Sequence, residues 1–173
     1  IIREQGVGDE ILFSSIYNDL IKNNFSNVKI ECDKRLLEIF NRSFNKNIFY
    51  PFGHYSSSNK SLQDFDNILY AGSLTRYFRN KESDFNIEPY IKTSDKLDKK
   101  FNSILKQFND KKRIGISWKS VFNIFGSLKS LELNNFSKLY NQDRIFINLQ
   151  YGSNIEEINN FRASGKNIFS FDN

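Results

Sequence analysis

The chain has 173 residues, 39% of them hydrophobic and 26% charged, which is enough apolar material for a packed core and too much for a disordered segment. That length suits one large domain or two small α/β units. The formal charge of +5 is scattered, and its densest cluster (Lys99, Lys100, Lys111, Lys112, Arg113) is broken by acidic and apolar residues, so it reads as a solvated helix face and not as a nucleic-acid footprint.

In chain order, Ile1-Ile2-Arg3 reads as the end of a short buried strand. From Glu10 a helical period begins, with Ile11, Leu12, Ile16, Leu20 and Ile21 predicted on one face. Residues 27–32 alternate as a second strand. Lys34 to Phe40 reads as a helix, and Asn47 to Tyr50 as a strand stopped by Pro51 and Gly53. Strand–helix–strand–helix–strand predicts a parallel sheet with right-handed crossovers. His54 to Lys60 is a polar loop. Asp66 to Tyr70 is a further strand, and Ser73 a predicted N-cap for a short helix. Ser94 to Asn109 carries a charged amphipathic helix.

A second series follows: a strand over Arg113–Trp118, a loop over Lys119–Lys129 and a helix over Leu131–Tyr140. Leu133, Phe136, Leu139 and Tyr140 are predicted to face inward on that helix. Then come a strand over Arg144–Gln150, a capping-box helix start at Ser153-Asn154-Ile155-Glu156, and a strand over Asn167–Phe171. The predicted organisation is an α/β chain with an N-terminal domain over 1–92, a linking helix over 93–111, and an incomplete second domain over 112–173.

Three segments carry chemistry. Gln5-Gly6-Val7-Gly8-Asp9 sits between a strand and a helix, where glycines permit positive φ and close approach of a ligand, and where helix N–H groups favour an anion. Capping of the helix by Asp9 is the simpler alternative. A dinucleotide fingerprint needs a third small residue where Ile11 stands, so Gly6-x-Gly8, with Glu31 as a ribose-binding acid, supports a nicotinamide or flavin oxidoreductase only weakly. The second segment, Ile114 to Ser120, places Ser117, Lys119 and Ser120 at the carboxyl end of a buried strand, with Lys119 as a phosphate partner; Trp118 covers a ligand or, more commonly, packs in a core. The third, Leu149 to Ser153, offers Gln150 as a ligand hydrogen-bonding group. His54, the only histidine, is read as a surface residue in a polar loop, with a general-base role as the lesser alternative.

Taken together, these motifs resemble the glycosyltransferase-like domain attached to tetratricopeptide repeats in bacterial proteins, a relative of the lipopolysaccharide heptosyltransferases. The matching residues run from Glu4 to Ile11, then Ser73 to Phe78, Pro89-Tyr90, Arg113 to Trp118, Ser130-Leu131-x-Leu133, and Leu149 to Gly152. The resemblance implies a GT-B architecture of two Rossmann-like domains, the second partial here. It implies that the first handles an acceptor and the second a nucleotide-sugar. It also implies Asp9 as catalytic base, with Gln5, Gly6 and Gly8 in the acceptor loop. Lys119, Ser120 and Lys129 are then candidates for the diphosphate, beside Ser117 and Gln150 in the donor site. Two departures stand out: the family's later Asp-Thr…His segment is absent, and Lys129 stands where arginine is common.

No cofactor beyond the nucleotide-sugar substrate and no metal are expected, since no Cys/His ligand set appears. A lone cysteine, Cys32, suits a reducing, cytoplasmic compartment, and no apolar run approaches the roughly 20 residues of a membrane span. The chain has no methionine, as a fragment or processed chain would. A binding or scaffold domain that kept this fold without its chemistry is the main alternative.

Overall fold

The computed structural model describes residues 1–23, 25, 27–55, 64–85, 88–120, 126–152 and 155–171. The chain is mixed α/β and divides into two compact units, Ile1–Asp98 and Lys99–Asn173. Among the described residues no helix is long and apolar enough to cross a membrane.

In the first unit, β1 (Ile30–Cys32) pairs in parallel with β2 (Phe49–Pro51). The opening segment extends this pairing. Its Ile1 carbonyl accepts from the Glu31 amide at 2.9 Å, while Ile2 donates to Leu69 at 2.8 Å and accepts from Ala71 at 3.0 Å. The lateral order is therefore β2, β1, Ile1–Arg3, Leu69–Ala71, and it reverses beside the opening segment. Pro51 ends β2 without loss, because among the described residues that strand has a partner on one side only.

The first predicted helix is two helices, α1 (Val7–Ser14) and α2 (Tyr17–Lys22). Ser14 is buried and its hydroxyl donates to the Ile11 carbonyl at 2.7 Å, a local bond that competes with the helical ladder where the axis breaks. The break changes the face. Ile16, Tyr17 and Leu20 are buried, whereas Ile11 and Leu12 point outward. Next, α3 (Leu37–Phe44) starts later than the periodicity predicts. Asp33 Oδ1 accepts the Arg35 amide at 2.9 Å, which holds the intervening residues in a turn; Asn45, at φ 50°, ends the helix. Tyr17, Phe40, Phe44 and Phe49 form one ring cluster with centroids 5.4–6.0 Å apart. Such pairs add about 0.5–1.5 kcal/mol each beyond area burial.

The expected strand over Asp66–Tyr70 is reduced to one bridge, Ile2 to Tyr70. Ser73 is not an N-cap: Ala71–Leu74 is a 3-10 turn that runs directly into α4 (Thr75–Phe78), with no side-chain cap bond.

The division between the units falls inside α5 (Asp95–Leu105). In the second unit, β3 (Lys112–Ile116), β4 (Arg144–Asn148) and β5 (Ile168–Phe169) form a parallel sheet in that order. The expected α-helix over Leu131–Tyr140 is a 3-10 helix over Leu133–Leu139, whose Leu139 is exposed while Leu133, Phe136 and Tyr140 pack inward. With α6 (Ile155–Ala163) these elements bury Ile116, Trp118, Phe146, Ile158, Phe161 and Ile168. Trp118 is thus a core residue. The predicted capping-box residues Ser153 and Asn154 lie outside the described residues, as do Ser56–Lys60 and residues 121–125 of the two predicted loops.

Candidate functional site

The glycine loop leaves the opening segment where the strand order reverses, the place at which open α/β sheets bind ligands. Its glycines are not there for positive φ. Gly6 is extended at φ −125° and ψ 153° and serves as N-cap of α1, and Gly8 lies inside the helix. Gly8 provides space, since a Cβ there would meet nothing within 4 Å, whereas one on Gly6 would crowd the Asp9 carboxylate at 3.3 Å.

Asp9 occupies the first turn of α1, is exposed, and makes no cap hydrogen bond. The capping alternative is therefore excluded, and the carboxylate lies in the first turn, at the positive end of the helix. Gln5 is exposed beside it.

A dense polar lock holds this loop. Glu10 is 1% exposed, with Oε2 accepting the Asp33 amide at 2.8 Å and Oε1 3.0 Å from Arg3 Nε. That second contact is an ion pair without hydrogen-bond alignment, because Arg3 Nε donates to the Glu4 carbonyl at 2.9 Å; Arg3 Nη2 donates to the Gln5 carbonyl at 3.0 Å. Burial raises the Glu10 pKa, opposed by the Asp33 amide and the Arg3 charge. Glu4 Oε1 accepts the Gly72 amide at 2.6 Å and so ties the loop to the neighbouring turn. Asp33, at the tip of β1, is held far below the usual carboxylate range by Arg35, which donates from both its side chain and its backbone. Glu31, proposed from sequence as the strand-tip acid, lies instead within β1, is buried, and accepts the Tyr55 amide at 2.7 Å.

In the second unit the carboxyl ends of β3 and β4 are joined by Gln150. Its Oε1 accepts from Trp118 N at 2.8 Å, Lys119 N at 2.7 Å and Ser117 Oγ at 3.1 Å. Its Nε2 donates to the carbonyls of Lys119 at 3.0 Å and Tyr151 at 2.8 Å. Both amide hydrogens are used, so Gln150 shapes the loop from within. Lys119 Nζ lies 2.6 Å from Glu157 Oε2, and that oxygen also accepts the Trp118 indole N–H at 3.1 Å. Glu157 Oε1 takes the Leu133 amide at 2.7 Å. Burial pushes the Glu157 carboxyl up, but these three donors outweigh it and leave its pKa lowered. Ser120 donates its amide to Ser130 Oγ at 2.9 Å, and Lys129 is exposed on the 3-10 turn Ser127–Lys129.

The structure thus brings Ser117, Lys119, Ser120 and Gln150 together at one sheet edge, and Gln5, Gly6, Gly8 and Asp9 at another. Sequence reasoning missed Glu157, Glu10 and Asp33. The signal for Glu157 was the tryptophan itself, whose buried indole N–H requires an acceptor that a strand cannot supply. His54 stacks on Tyr50 at 4.9 Å and meets Tyr55 edge-on at 4.7 Å. Among the described residues no group of three or more His, Cys, Asp and Glu is placed to hold a metal ion. Compared with protein-family models, curated proteins and solved structures, the chain matches none.

Proposed function

We propose that the chain is a glycosyltransferase-like domain of GT-B type that moves a sugar from a nucleotide-sugar to a hydroxyl acceptor, with Asp9 as base. The observation that carries this reading is the exposed Asp9 carboxylate, uncommitted to capping, at the point where the strand order reverses. In an inverting transfer the acceptor O–H proton passes to Asp9 as the acceptor oxygen bonds to the anomeric carbon. The anomeric carbon–phosphate oxygen bond breaks, and its electron pair leaves with the nucleoside diphosphate. Positive charge and oriented donors stabilise that leaving group, and Ser117, Lys119, Ser120 and Lys129 are the groups assigned to it.

Titrating the intact chain with UDP-, GDP- and ADP-hexoses by calorimetry, and following nucleotide release by 31P NMR, tests the reading. Asp9→Asn is expected to keep donor affinity while losing about 100-fold or more of turnover. Absence of binding to every donor, or an unchanged rate in Asp9→Asn, overturns it.

One observation favours a second reading, a binding domain that has lost its chemistry. The Lys119 ammonium and the Gln150 amide are consumed internally, by Glu157 and by the loop backbone. Turnover of any sugar nucleotide rules this out.

A further inference from the structure

Arg3, the last residue of the opening segment, has all three guanidinium nitrogens engaged. Nε donates to the Glu4 carbonyl at 2.9 Å and lies 3.0 Å from Glu10 Oε1. Nη2 donates to the Gln5 carbonyl at 3.0 Å, and Nη1 stands 3.6 Å from Asp33 Oδ2. The guanidinium carbon lies 5.0 Å from the centroid of the Phe52 ring. One planar group therefore holds the two carbonyls that lead into Gly6 and the carboxylate of the residue after Asp9, so that the loop Gly6–Asp9 is fixed at both ends by the same side chain. The Arg3 side chain is 17% exposed and its charge is met by Glu10 and Asp33, so it is not offered to an anion.

Asp9 has nothing of its own to hold it. Among the described residues its carboxylate has no hydrogen bond or ion pair, and its Oδ2 lies back over Gly6, 3.3 Å from where a Cβ would stand. Its position follows from the first turn of α1, and that turn is pinned by its neighbours. The Glu10 amide donates to the Gly6 carbonyl at 2.9 Å, and Glu10 Oε2 accepts the Asp33 amide at 2.8 Å. Glu4 Oε1 accepts the Gly72 amide at 2.6 Å. Arg3 contacts both of these glutamates, one through its backbone and the other through its carboxylate.

We propose that Arg3 is the positioning residue for Asp9 and holds that base where it takes the acceptor's proton. This rests on the transferase reading, in which Asp9 is the base. A base works only within hydrogen-bond reach of its proton, and a displacement of about 1 Å costs about 100-fold in rate. Arg3→Lys keeps the charge that Glu10 and Asp33 face, but an ammonium lacks the rigid fork that spans two carbonyls and a carboxylate together.

The test is a double-mutant cycle in the intact chain. Wild type, Arg3→Lys, Asp9→Asn and the double variant are compared for nucleotide release from UDP-, GDP- and ADP-hexoses by 31P NMR. Arg3→Lys is expected to lower kcat about tenfold or more, with donor KM unchanged within about twofold, and to alter the rate by less than about twofold in the Asp9→Asn background. A side chain that only supported the fold would cost the same in both backgrounds. An equal loss in the two, or an unchanged kcat in Arg3→Lys, overturns the proposal. Should Arg3→Lys not fold, Arg3→Gln/Glu10→Gln removes both charges together and takes its place in the cycle. If the wild-type chain consumes none of these donors, the transferase reading falls, and amide hydrogen exchange decides separately whether Arg3 holds the loop. Arg3→Lys is expected to speed exchange at Glu10 and Gly72 about tenfold or more, while Ile30 and Phe40 keep their rates. Unchanged exchange at Glu10 and Gly72 overturns the proposal.

Discussion

Removing Glu157 tests whether the loop after β3 is built from within the second unit. Its carboxylate satisfies the amide of fully buried Leu133 and the indole N–H of Trp118, which is 3% exposed. Glu157→Ala leaves both donors without a partner, at about 1–3 kcal/mol each. The Lys119 pair adds little, because that lysine is 38% exposed and an exposed pair contributes about 0–1 kcal/mol. Water entering beside α6 rehydrates part of the gap, so the expected loss is about 2–4 kcal/mol. The chain has a single tryptophan, Trp118, so its fluorescence reports unfolding of the second unit specifically. With a urea slope of about 1 kcal/mol per M for so small a unit, the midpoint should fall by about 2 M or more. Glu157→Gln, which keeps an acceptor for Leu133, should lose roughly half as much. The pH dependence has a definite sign. A carboxyl whose pKa is lowered on folding contributes stability above its unfolded value, near 4.5, and loses it as pH falls through the folded value. That acid loss should be absent from Glu157→Gln. A midpoint shift below about 0.5 M in Glu157→Ala would refute the reasoning.

Two further outcomes follow from the first unit. Gly8→Ala meets no neighbour within 4 Å and replaces glycine inside a helix, so it should stabilise the first unit by about 0.5 kcal/mol while weakening any ligand that approaches this backbone; a loss of thermal stability would show that the glycine is required for folding. Burial pushes the Cys32 thiol up to about 12, and its side chain is buried. Labelling by a disulfide reagent near pH 8 should therefore be negligible in the folded chain and prompt in urea, and rapid labelling without denaturant would contradict the packing.

Local signals identified most elements of the fold. The alternation of Ile114 and Ile116 marks β3, and the unbroken apolar run Ile145-Phe146-Ile147 marks β4 as a strand buried on both faces, because both patterns are visible in a short window. The glycine loop was legible for the same reason, since a strand end, two glycines and an acidic helical turn are all consecutive. Boundaries decided by one competing bond were not legible. The break between α1 and α2 depends on Ser14 bonding to Ile11, and the late start of α3 on the Asx turn at Asp33. Periodicity alone extends a helix through both.

The sequence by itself determined an α/β chain, its strand–helix alternation, and the residues that reach the strand ends. Only the tertiary structure decided what those residues do there. Asp9 was offered as either a cap or a free carboxylate, and the extended Gly6 cap leaves it free. Lys119 and Gln150 read alike as ligand partners, yet one meets Glu157 and the other closes the loop on itself, through pairs 38 and 31–33 residues apart. A hydrogen bond at that separation leaves no periodic trace in the chain. It exists because the parallel register of β3 and β4 brings the two strand ends side by side and α6 returns Glu157 to the same edge.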